Sequence, residues 1–159
     1  MKYFRYRELR DVTLAIVAAL ALIQPAFPAT FRVDDSSSLP SEPNTTMRWR
    51  FLSPSRAADN LVEGTTLVTV RLNVAPWRNK TGKIYMVLPE QPIGRVTAEW
   101  ATQGRLLPGQ LISGNRTLVF TGPIRSSLIE DTIALKLQTD GRRLTAPQRL
   151  EFHFEIDVD

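Results

Sequence analysis

The chain offers few side chains that could do chemistry. Its one histidine, His153, would have to serve any Ser-His-Asp triad. It alternates with Phe152 and Phe154 in an apolar–polar run, on the side of Glu151 and Glu155, so it reads as a solvated residue on a strand's wet face. Asp34-Asp35 and Glu130-Asp131 are adjacent acid pairs whose side chains diverge in an extended chain, which predicts two solvated acidic spots. Nothing marks the pair of facing carboxylates that a glycosidase needs. Gly104-Arg-Leu-Leu-Pro-Gly109 lacks the Gly-Lys-Ser/Thr ending of a phosphate loop, and no helical pattern follows it. With no cysteine, zinc–thiolate sites, iron–sulfur clusters and thiol catalysis are excluded. No catalytic residue, metal ligand or cofactor site is predicted, and the protein is not expected to be an enzyme.

The amino-terminal stretch points to export. Lys2, Arg5, Arg7 and Arg10 form a basic head, and the uncharged run Val12–Ile23 follows. Pro25, Pro28 and small residues come next, in the order of a secretory signal peptide over 1–29. The run is shorter than the roughly 20 residues of a membrane-spanning helix. Ala29 suits the position before the cut, and Ala26 is the alternative. Four bases and two acids lie in this leader, so 16 Lys+Arg face 14 Asp+Glu in the remainder. The arginines are scattered singly, unlike the clusters that bind phosphate backbones, so no nucleic acid is expected.

Residues 30–45 are polar, with three consecutive serines and two prolines, and read as an extended or mobile tail. From 46 to 159 the pattern has period two. Thr46–Leu52 sets Met47, Trp49 and Phe51 against Arg48 and Arg50. Thr66–Val74 does the same with Val68, Val70, Leu72 and Val74. Lys83–Leu88, Val96–Ala101, Thr117–Thr121 and Thr132–Gln138 are further short strands, with Pro and Gly between them. The window 126–137 is ambiguous, but Ile133, Leu135 and Leu137 favour a strand. Asp140-Gly141 marks a turn before the last strand. Seven short strands without a Cys pair predict an immunoglobulin-like β-sandwich with Trp49 or Trp100 at its centre.

The last strand has the strictest alternation. Leu150, Phe152, Phe154, Ile156 and Val158 point one way, and Glu151, His153, Glu155, Asp157 and Asp159 the other. A slip of one residue would bury five polar groups, so the register is fixed. Nothing follows the strand in the chain, so its outer edge is expected to need a partner from elsewhere. Trp77, between Pro76 and Arg78, reads as a loop residue at the edge of the core, or as a platform for a sugar.

Leader, polar tail, cysteine-free short strands and an alternating final strand together resemble a bacterial chaperone–usher fimbrial subunit of the disulfide-free type. Met47-Arg-Trp-Arg-Phe51 resembles the first aromatic-basic strand of such pilins. Thr117-Leu-Val-Phe-Thr-Gly-Pro123 and the closing 150–159 resemble their late strands. The resemblance implies a sandwich lacking one strand, filled first by a periplasmic chaperone. The tail of another fimbrial subunit then replaces the chaperone at the outer-membrane usher. Leu150, Phe152, Phe154, Ile156 and Val158 would then form one groove wall, and Met47, Trp49 and Phe51 the opposite one. Phe31, Val33 and Leu39 would be the donor residues of the tail. Asp35 and Ser37 stand where family donors carry apolar or small residues. The implied role is that of a structural or minor subunit of an adhesive fimbria on the cell surface. An exported monomeric binding module, lectin-like or inhibitor-like, is the alternative.

Overall fold

Ten strands in two antiparallel sheets account for almost all the regular structure of this computed structural model, which describes residues 29–51 and 60–158. The leader expected over 1–29 lies outside these residues except for Ala29. The chain is an all-β, immunoglobulin-like sandwich. In order, the strands are β1 (Ala29–Arg32), β2 (Leu39–Pro40), β3 (Arg48–Trp49), β4 (Leu61–Asn73), β5 (Thr81–Leu88), β6 (Val96–Thr102), β7 (Gly109–Ile112), β8 (Asn115–Pro123), β9 (Leu128–Asp140) and β10 (His153–Val158). One sheet runs β1-β10-β5-β8. The other runs β2-β4-β9-β6-β7, with β3 also paired to β4.

The long strands β4 and β9 form the spine because their alternation is unbroken. They pair over their full 13 residues, Leu61 opposite Asp140 and Asn73 opposite Leu128. Even-numbered residues of β4 and odd-numbered residues of β9 face inward, so Val70, Leu72, Ile129 and Ile133 are buried together. On the outer face Arg71 stands opposite Glu130, and its Nε donates to Oε2 at 3.0 Å. The ambiguous window thus resolves as strand from Leu128 onward. Strand β5 pairs with β8 around a bulge at Ile84/Tyr85, which keeps Ile84 and Val119 both in the core.

Trp100 fills the core at 3% exposure, and its indole N–H donates to the Leu107 carbonyl at 2.9 Å. Trp49, its rival in the sequence, is 46% exposed. Strand β3 is two residues long, and Phe51 is exposed beyond it, so among the described residues the alternation over 46–51 does not become a buried strand. A second correction concerns Glu130-Asp131. Asp131 is buried, and its carboxylate accepts the N–H groups of Leu106 at 2.8 Å and Thr132 at 2.7 Å. It holds the loop between β6 and β7 instead of meeting solvent. A Cβ on Gly104 would lie 2.8 Å from this carboxylate, so the loop approaches it more closely than a side chain allows.

Candidate functional site

The terminal strand β10 is built as its alternation requires. Phe154, Ile156 and Val158 are buried at 8% exposure or less, and Leu150 and Phe152 pack against the same core from the segment before it. His153, Glu155 and Asp157 take the other face. The Nε2 of His153 lies 3.5 Å from the Glu155 carboxylate. One flank of β10 pairs with β5, from His153 opposite Val87 to Val158 opposite Gly82.

The other flank is where the structure departs from the sequence-based expectation. It is not left for a partner chain: β1 occupies it, antiparallel, with Ala29 opposite Val158 and Arg32 opposite Glu155. Of residues 30–45, Thr30–Arg32 extend along one sheet and Leu39–Pro40 along the other, so these parts of the expected tail take its extended form. The physical reason is a short period-two run. Ala29, Phe31 and Val33 face inward with Val158, Ile156 and Phe154, while Thr30 and Arg32 face outward. Just past β1, the Val33 N–H donates to the Phe154 carbonyl at 2.9 Å, and Val33 is 1% exposed. At Asp34 the chain turns away. Asp34 bridges to Asn73 of β4, so the segment crosses from one sheet to the other. A tight turn makes the crossing, with the Ser36 hydroxyl donating to Asp34 Oδ1 at 2.7 Å and the Ser38 N–H to the Asp35 carbonyl at 2.8 Å.

This early exit leaves part of the terminal segment open. Strand β5 ends at Leu88, and β1 with Val33 reaches only to Phe154, so Leu150–Phe152 pair with neither flank as strand. Beside them a groove of about 1520 Å³ opens between the sheets. Met47, Val68, Met86, Leu135, Phe152 and Phe154 give it an apolar lining, and Asp35, Glu42 and Arg149 stand among its polar residues.

The expected site residues separate into distinct groups. Met47, Leu150, Phe152 and Phe154 line the open groove. Ile156 and Val158 lie in the closed half, under β1. Trp49 and Phe51 do not line the groove. Trp49 packs against Val62 and Gly141, whose built Cβ would lie 2.6 Å from both side chains. Of the expected donor residues, Phe31 and Val33 do lie along β10, but on the β10 of their own chain. Leu39 sits opposite Thr69 on the outer face of the other sheet, 62% exposed.

The structure adds residues that the sequence pattern does not single out. Asp157 accepts the Thr30 hydroxyl at 2.6 Å. It also accepts two bonds from Arg116 of β8, at 3.3 and 3.2 Å. That guanidinium lies over the Tyr85 ring, 4.2 Å from its centroid, and reaches Glu155 at 3.5 Å. Burial works against the charged Asp157 carboxylate. The bonds from Thr30 and Arg116 and the charges of Arg116 and Lys83 outweigh it and hold the group below the usual aspartate range. Trp77, expected in a loop, ends a 3-10 turn and meets Phe31 with ring centroids 5.9 Å apart. No sequence motif marks Arg116 or Thr30, because their partners are 41 and 127 residues away. Among the described residues, no three His, Cys, Asp or Glu gather as a metal site.

No protein-family model, curated protein or solved structure matches this chain.

Proposed function

We propose that the protein is a structural or minor subunit of an adhesive surface fimbria, exported through the periplasm and joined to its neighbours by strand exchange. The observation that supports this reading is the composition of the sheet edge at β10. It is completed by a four-residue strand from the amino-terminal stretch, paired chiefly through main chain, and an apolar groove continues the same edge. An edge of this kind accepts an added strand, with backbone bonds for affinity and alternate apolar positions for register. The donor would be residues 30–33 of a second subunit, with Phe31 and Val33 seated against Ile156 and Phe154. A periplasmic chaperone and an outer-membrane usher are the partners this reading requires.

One observation favours the alternative of a self-contained exported binding module: β1 already closes its own sheet. A single experiment separates the two. The purified protein and a form lacking residues 29–33 are each mixed with full-length copies and followed by size-exclusion chromatography and electron microscopy. Linear polymers that need residues 29–33 support the fimbrial reading. Monomers throughout, with and without the chaperone, support the binding module.

A further inference from the structure

Strand β1 is attached at few points. All four of its side chains are exposed, and it lies at the edge of its sheet with β10 as its one neighbour. Apart from main-chain bonds, its described attachments are the Thr30 hydroxyl on Asp157 and the Phe31 ring against Trp77. Val33 anchors the segment from below. After Val33 comes the Asp34–Ser38 turn, which is tied to β4 by the Asn73 N–H donating to the Asp34 carbonyl at 2.9 Å. Lifting residues 29–33 from β10 leaves that turn and β2 in place and draws one core side chain, Val33, out of its burial.

Asp157 is prepared for Thr30 from the far side. Arg116 crosses over β5, held by the face of Tyr85, and fixes both carboxylate oxygens. The two bonds from Arg116 orient the carboxylate independently of the Thr30 hydroxyl. A hydrogen bond to a charged acceptor is stronger than a neutral one, and this is the described side-chain hydrogen bond that joins β1 to β10. We propose that residues 29–33 are a self-capping strand and that the Thr30–Asp157–Arg116 array is the latch that governs its release. Release exposes the edge of β10 to an incoming strand. The proposal rests on the strand-exchange reading and adds its regulation: a copy whose latch is closed is a monomer, and opening the latch is the slow step of exchange.

The test uses the full chain. Because Phe154 accepts from Val33, antiparallel alternation turns the backbones of Phe154, Ile156 and Val158 toward β1. Their amide hydrogen exchange is measured by NMR in the unaltered protein, in Thr30→Val and in Asp157→Asn. In parallel, a fluorescent peptide with the sequence of residues 29–35 is added and its entry rate is followed. Thr30→Val is the decisive variant, because it removes a hydroxyl from an exposed strand and leaves the core intact. The expected result is exchange at the three amides, and peptide entry, each faster by roughly tenfold, the scale of one hydrogen bond to a charged group. Amides of β4 and β9 should stay unchanged. Protection at the three amides that stays at the original level, or falls only together with β4 and β9, overturns the latch. If the peptide enters on that schedule but whole copies never link, strand exchange as an assembly mode fails while the cap stands.

Discussion

The Val33 amide donates to the Phe154 carbonyl at 2.9 Å, and both side chains are buried beneath the bond, at 1% and 4% exposure. This pair marks the border between the closed and open halves of the terminal strand. Above it β1 covers β10; below it the chain has left for the other sheet and the groove begins. Its two members should respond alike to charge. Phe154→Asp and Val33→Asp would each bury an uncompensated carboxylate and cost several kcal/mol. Urea denaturation of both variants checks this. A loss of less than about 1 kcal/mol for either would mean that the site is wetter than its burial implies.

Phe31 should behave differently from Val33, although they share a strand face. Phe31 is 46% exposed and touches Trp77 at the sandwich edge. Phe31→Ala is expected to cost under about 1 kcal/mol, against about 2 kcal/mol for Val33→Ala. Thermal unfolding of the two variants measures the gap. Equal losses would show that β1 is held as firmly at its exposed end as at its buried one.

Asp131 is a structural acid, so its neutralisation should be felt as stability. Asp131→Ala leaves the buried Leu106 N–H without its acceptor, at an expected cost of about 1–3 kcal/mol, the desolvation cost of one orphaned donor. Gly104→Ala should also destabilise, since the new methyl meets the carboxylate. The double variant Gly104→Ala/Asp131→Ala should lose less than the sum of the two, because removing the carboxylate clears the clash. Strict additivity in a denaturation cycle would contradict the contact.

What the sequence disclosed depended on how local the determining force was. The alternation of β10 is strict, so its face assignment could be read directly, and the all-β sandwich followed from the same pattern repeated. Asp131 could have been found by parity: it shares its face of β9 with Ile129, Ile133 and Leu135. Its adjacency to Glu130 suggested a solvated pair instead. Trp49 and Trp100 both sit in alternating runs. What separates them is long-range: β6 lies inside its sheet between β9 and β7, while β3 is a two-residue edge piece. The β1 pairing was hidden for a similar reason. Three inward residues, Ala29, Phe31 and Val33, precede a run rich in Asp and Ser, and the local polarity of 34–38 outweighed them. The partner that orders them lies at the other end of the chain, as does the acid of the Thr30 array, and its arginine comes from β8.

The carboxylates predict the response to acid. Thr30 and Arg116 hold Asp157 below its usual range against the cost of burial, and the Arg142 side chain and N–H hold Asp140 down at about 2. Lowered carboxyls stabilise the fold at every pH above their unfolded values, and that contribution drains away as pH falls through the folded ones. Stability should thus be level with respect to these groups from neutrality to about pH 4.5 and decline from there toward about pH 2. In Asp157→Asn the decline should be shallower, because one of the groups that takes up a proton on unfolding is gone. Thr30→Val should make it shallower to a smaller extent, since Arg116 still faces the acid. Urea titrations at a series of acidic pH values give the slope directly. A slope identical in all three proteins would detach Asp157 from the stability of the terminal strand, and with it the charge-based grip on β1.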